Sequence, residues 1–291
     1  MIIRKILSYV LISAVLFGSF SCPSEAKMLT GSLPEGEWAE HKSTHFIIYY
    51  YPSIDEDYIK EFSGKCEEYY EKITERLGFK RVDFWLWEDR AKVFVYKDRE
   101  GYLMGTGRSA WSGASVSLKE KYMNTFYFEG DFFDVILPHE LAHIILREFI
   151  GIKTVVPLWF DEGVAGANEK DSLVRYLMVA KRMVAREEFI PINNLESISY
   201  SKVMVPRVFY PTAAAIVIFL FENKKWGGEK FFEFCSGLRE MKKIRGDTFY
   251  KVMRKVYGIA DAEQLNTELL KYLEGQKYED IAAKQNFDVN W

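Results

Sequence analysis

The sequence predicts an α+β protein: a mixed sheet and one long helix in its N-terminal half, then a mainly α-helical C-terminal half. Two observations carry this expectation. From Thr44 to about residue 130, short β-branched and aromatic runs alternate with a single extended helical period. From Asp131 onward, apolar residues recur at helical spacing through nearly all of the remaining chain. With 291 residues, 48% hydrophobic and 28% charged, the chain has the size and composition of one compact unit built from two subdomains. A net charge of -3 gives no basis for nucleic acid or an anionic membrane surface as partner.

The elements follow in chain order. Arg4 and Lys5 precede an apolar run from Ile6 to Phe20, then small residues and Ser24-Glu25-Ala26. This pattern predicts a signal peptide over residues 1–26, cleaved after Ala26, and export to the periplasm or the medium. Cys22 leaves lipid attachment after Ser21 open as a second route, and membrane association is expected only through the signal or such an anchor. Residues 27–43, with Gly31, Pro34 and Gly36 among polar residues, read as a linker. An N-terminal α/β subdomain is expected over residues 44–130.

Within it, His45 to Tyr51 is a strand-like run ended by Pro52. Glu56 to Leu77 places Ile59, Phe62, Cys66, Tyr69 and Ile73 at helical spacing, and Gly78 stops the helix. Ala91 to Tyr96 is the second strand. The stretch Gly101 to Ser117 reads as a loop, because Gly105-Thr106-Gly107 lacks the spacing of a phosphate-binding glycine motif. Short strands are expected near Ala114 to Leu118 and Thr125 to Phe128.

A helical subdomain over residues 131–275 comes next. Thr212 to Phe221 is apolar on every side yet too short to span a bilayer, as suits a helix buried in the core. Further helices are expected at Glu229–Met241, Thr248–Val256 and Ala262–Leu273, with residues 276–291 as a tail. Cys66 and Cys235 fit either one disulfide in an oxidising compartment or two small buried hydrophobes.

The chemistry lies in His139-Glu140-Leu141-Ala142-His143, an HExxH motif. On a helix the i, i+4 spacing brings both imidazoles to one face, close enough for two zinc bonds of about 2.0–2.1 Å. Glu140 then stands beside the metal rather than on it, the position of a general base. Catalytic zinc takes three protein ligands and keeps one position open. The only other histidines, His41 and His45, sit at the entry to the first strand and read as surface or packing residues. Downstream, Trp159-Phe160-Asp161-Glu162-Gly163-Val164-Ala165 offers Glu162 as third ligand, with eighteen residues between it and His143. Gly163 permits close helix approach. One zinc ion per chain is the expected cofactor.

This arrangement, HExxH, eighteen residues, then Glu in a Trp-x-x-Glu-Gly-x-Ala setting, resembles the gluzincin metallopeptidases. Within them it most resembles the peptidase MA-like family, where a Pro before HExxH and a Pro-Leu-Trp before the third ligand are common; here they are Pro138 and Pro157-Leu158-Trp159. The resemblance covers roughly Thr44 to Leu273 and is strongest over Val135 to Glu169. It implies a zincin-like fold with the active-site cleft between the two halves, and zinc-dependent hydrolysis of a peptide or protein substrate. It also implies an oxyanion-stabilising tyrosine, matched by Tyr210 at a helix N-terminus opened by Pro211, and a ligand-supporting acid, matched by Glu169. An aromatic packed at a helix start and a solvated helix face are the alternative readings of those two residues. The chain lacks the Gly-x-Met-Glu-Asn segment by which aminopeptidases of this group capture a free amine. Endopeptidase action is therefore expected over aminopeptidase action. The rival expectation is a non-catalytic zinc-containing module that binds peptides or envelope partners, distinguished by a protein atom as fourth metal ligand.

Overall fold

A computed structural model describes residues 37–80, 82, 84–110, 112–127, 132–198, 206–223, 226–241 and 247–284. The expected signal peptide, its cleavage site, Cys22 and residues 27–36 of the expected linker lie outside the described residues. The architecture is α+β, with a five-stranded mixed sheet on the N-terminal side.

The strands are β1 (Ala39–Lys42), β2 (Phe46–Tyr50), β3 (Ala91–Tyr96), β4 (Ala114–Ser117) and β5 (Tyr122–Phe126), in the spatial order β1-β2-β3-β5-β4. The inner three, β2, β3 and β5, are parallel, and the edge strands β1 and β4 are antiparallel to their neighbours. Period-2 alternation sets the faces: Phe46, Ile48, Val93, Val95 and Met123 point into the main core, whereas Phe94, Tyr96 and Phe126 form a second aromatic cluster with Tyr102.

Helix α1 (Glu56–Arg76) joins β2 to β3 and buries the side chains its spacing predicts: Ile59, Phe62, Cys66, Tyr69 and Ile73. Asp55 caps it by accepting from the backbone N–H groups of Asp57 and Tyr58. The segment read as a loop instead starts with a short helix, α2 (Arg99–Thr106), capped by Asp98, whose Oδ1 accepts from Gly101 N at 2.8 Å. Gly105 was a misleading signal. It serves close packing rather than a turn, since a Cβ there would lie 2.6 Å from the Tyr96 ring. The expected linker also required correction, because Ala39–Lys42 pairs with β2 as an edge strand. Its polar composition reflects one-sided exposure, not lack of structure.

A π-helical turn (Phe132–Ile136) feeds α3 (Leu137–Ile150), and then come α4 (Leu158–Ala167), α5 (Ser172–Ala185), α6 (Ile192–Leu195), α7 (Pro206–Glu222), α8 (Gly227–Glu240), α9 (Asp247–Tyr257), α10 (Ala262–Gly275) and α11 (Tyr278–Lys284). The last lies in the expected tail, yet its Ile281 is fully buried. One continuous apolar core runs from β2 through α1, α3, α4 and α7 to α11, so both halves share it. Arg76 ties them at the surface, donating from α1 to the Ala167 carbonyl at the end of α4. Cys66 and Cys235 are both buried and free, which settles the pair as small core hydrophobes rather than a disulfide. No helix among the described residues is long and apolar enough to cross a membrane.

Candidate metal centre

Helix α3 is buried along nearly its whole length. His139 and His143 lie one turn apart on it, their rings 5.0 Å between centroids and at 78°. After the turn at residues 151–157, α4 brings Glu162 back against them. Its Oε2 lies 3.5 Å from His139 Nε2 and 3.7 Å from His143 Nε2. One ligand atom from each of the three residues falls within 4.8 Å of the others, and this is the metal-compatible cluster among the described residues. The three side chains that the spacing singled out are thus brought together.

The donor set fits a zinc ion on two counts. Ligand atoms around a tetrahedral ion with bonds of about 2.0–2.1 Å stand about 3.3–3.4 Å apart, close to the Glu162 separations. The Nε2 atoms of both histidines and both Glu162 oxygens are also buried without a hydrogen-bond partner. Buried polar atoms are ordinarily paired. Four such orphans in one cluster are a donor set that could hold a cation.

Each imidazole is fixed through its other nitrogen. His139 Nδ1 meets Glu169 Oε1 at 2.8 Å and His143 Nδ1 meets Asp161 Oδ1 at 3.3 Å. Glu169 sits in the turn between α4 and α5 and is only 3% exposed, so the solvated-face reading is overturned. It also accepts from Tyr176 Oη at 2.7 Å and pairs with Arg175. Asp161 accepts from Arg147 at 2.7 Å. The sequence reading missed Asp161, Arg147, Arg175 and Tyr176. Two of them had a local signal: Arg147 continues the i, i+4 series of His139 and His143, and Asp161 directly precedes Glu162.

The electrostatics follow from this packing. Burial opposes charge on His139, but the Glu162 and Glu169 carboxylates outweigh it, and its pKa in the metal-free protein is pushed up to about 10. His143 moves the same way, burial being overcome by Glu162 and Asp161. Burial alone would raise Asp161, yet His143 and Arg147 hold it well below the usual carboxylate range. Glu140 goes the other way: burial pushes it up, and only part of that is offset by the nearby imidazoles. Its Oε2 has no hydrogen-bond partner.

Tyr210 needs a correction. The described part of α7 already begins at Pro206, so Tyr210 lies inside the helix and Pro211 is an internal proline, not the first-turn residue. Tyr210 is buried, and burial together with the charges of Glu162 and Glu140 pushes its phenol pKa up. Gly163 lies where α4 and α7 cross. A Cβ there would lie 2.4 Å from the Ala213 carbonyl oxygen and 2.7 Å from Val217, so only glycine lets α4 and α7 cross this closely. Tyr210 stands one turn before Ala213 on the same face. His41 and His45 take no part in the cluster; His45 Nδ1–H donates to the Glu67 carboxylate at 2.6 Å, and the ring stacks on Tyr70.

Neither a protein-family model nor a curated protein sequence matches the chain.

Proposed function

We propose that this protein is an exported zinc-dependent metallopeptidase of the gluzincin type, similar to the peptidase MA-like family, with a zincin-like arrangement of sheet and HExxH helix. One observation carries the reading: the partnerless Nε2 atoms of His139 and His143 and the partnerless Glu162 carboxylate converge beside a buried, partnerless Glu140. Zinc held by His139, His143 and Glu162 would polarise a scissile carbonyl and acidify a water molecule.

The chain's own residues supply the rest. Glu140 takes the proton of the attacking water and delivers it to the leaving amine; its raised proton affinity suits a base that must hold a proton in transit. Tyr210, kept protonated by burial, donates to the tetrahedral oxyanion. Asp161 and Glu169 accept from the Nδ1 atoms and so present each Nε2 lone pair inward. The cluster among the described residues holds three ligands rather than four, which favours a catalytic site over a non-catalytic zinc module. Absence of an amine-capturing Gly-x-Met-Glu-Asn segment favours endopeptidase action.

The test is metal analysis with hydrolysis of a diverse peptide library by the full protein and by its Glu140→Gln variant. The variant keeps stoichiometric zinc and loses about 10²- to 10⁴-fold in rate. A Glu140→Gln protein that cleaves at the wild-type rate with metal bound would refute the general-base role. A wild-type protein without zinc would refute the proposal altogether.

A further inference from the structure

Behind the three metal-facing side chains lies a second layer in which each imidazole is backed by a carboxylate, and each carboxylate by an arginine. Arg147 donates to Asp161 Oδ2 through Nε at 3.2 Å and Nη2 at 2.7 Å, while its Nη1 reaches the Thr154 carbonyl at 2.7 Å. That guanidinium spans α3, the turn after it and α4, the three pieces of chain that fix where Glu162 stands relative to His143. Arg175, on α5, pairs with Glu169 Oε2 beside the Tyr176 hydroxyl, and Glu169 Oε1 holds His139. Both carboxylates are nearly inaccessible to solvent, at 5% and 3% exposure. Neither could keep its orientation without a fixed partner.

We propose that Arg147 and Arg175 are positioning residues of this centre, each orienting the carboxylate that sets the tautomer and direction of one metal-facing imidazole. They touch neither substrate nor metal. This inference rests on the metal reading above, but its readouts need no substrate.

The experiment uses the full chain and its Arg147→Met, Arg175→Met, Arg147→Lys and Arg175→Lys variants. Zinc dissociation constants are measured by competition with a chromophoric chelator, the cobalt(II) d–d spectrum is recorded after substitution, and imidazole Nδ1–H signals are followed by NMR. Loss of an outer partner of this kind typically weakens metal binding about 10- to 100-fold, so the methionine variants should fall in that range with a changed cobalt spectrum. The lysine variants should recover part of the loss, since lysine restores the charge but neither the paired Nε and Nη2 contacts of Arg147 nor the planar guanidinium of Arg175. If a methionine variant does not fold, as judged by circular dichroism, the lysine variant at that position decides through its cobalt spectrum and Nδ1–H signals. Folded variants with wild-type zinc affinity and an unaltered cobalt spectrum would overturn the inference alone. So would loss without any recovery by lysine, which would reduce the arginines to packing. A wild-type protein that takes up neither zinc nor cobalt would overturn the metal reading itself.

Discussion

Gly163→Ala tests the close crossing of α4, which carries Glu162, and α7, which carries Tyr210. The new Cβ would lie 2.4 Å from Ala213 O and 2.7 Å from Val217 Cγ2. Ordinary contacts between such atoms begin near 3.5 Å, so α4 and α7 must part by about 1 Å. The valine methyl can rotate away; the carbonyl belongs to the α7 backbone and cannot. Overpacking of a close-packed interior costs about 1–3 kcal/mol, and a rigid backbone neighbour puts this site at the upper end. Alanine returns about 0.8–1 kcal/mol of helix propensity. The net loss is about 2 kcal/mol, which in a domain of this size lowers Tm by about 4–8 °C.

Gly166→Ala is the internal control. There the Cβ meets the Ala214 side chain at 3.1 Å, and the propensity gain offsets the milder crowding, so Tm should stay within about 2–4 °C of wild type. Thermal unfolding followed by circular dichroism reads both variants, with zinc affinity as a second readout because Glu162 precedes Gly163. A Gly163→Ala protein that melts at or above wild type, with unchanged zinc binding, would show that the close crossing of α4 and α7 does not require glycine.

Further expectations concern the site itself. His139→Ala and Glu162→Ala should each remove most bound zinc, and stoichiometric metal retained in both would sink the ligand assignment. Tyr210→Phe should keep its zinc and lose on the order of 10²- to 10³-fold in kcat, as expected for one engaged oxyanion donor; an unchanged kcat would return Tyr210 to the role of packing residue. His139 in the metal-free fold titrates at about 10, above its ordinary value near 6.5, so protonation favours the folded state. That stabilisation is fully present below about pH 6.5 and is lost as pH rises toward 10. Metal-free protein should accordingly melt lower at pH 9 than at pH 6.5, and zinc uptake near pH 7.5 should release protons, measurable by calorimetry in buffers of different ionisation enthalpy. Uptake without proton release would contradict the raised histidine.

What the sequence determined by itself was local. Two imidazoles four residues apart on a helix share a face whatever the rest of the chain does, and Glu140 follows from the same geometry. The burial of α1 was legible because five apolar residues repeat at one period, and β2 and β3 because their residues alternate or run apolar, whereas β5 starts at Tyr122, three residues before the strand expected at Thr125–Phe128. Glu162 was legible through its spacing and neighbours, although spacing alone does not say that α4 turns back onto α3. Tertiary structure decided the remainder. Edge strand β1 owes its form to pairing with β2 rather than to any apolar pattern, and α2 is hidden in sequence because its Gly105 answers to the Tyr96 ring across a layer. Cys66 and Cys235 remain free, which composition left open. The same is true of the carboxylates behind the histidines. An aspartate next to a glutamate, or a glutamate in a turn, looks solvated until the fold removes the water and leaves each imidazole Nδ1 one acceptor within reach.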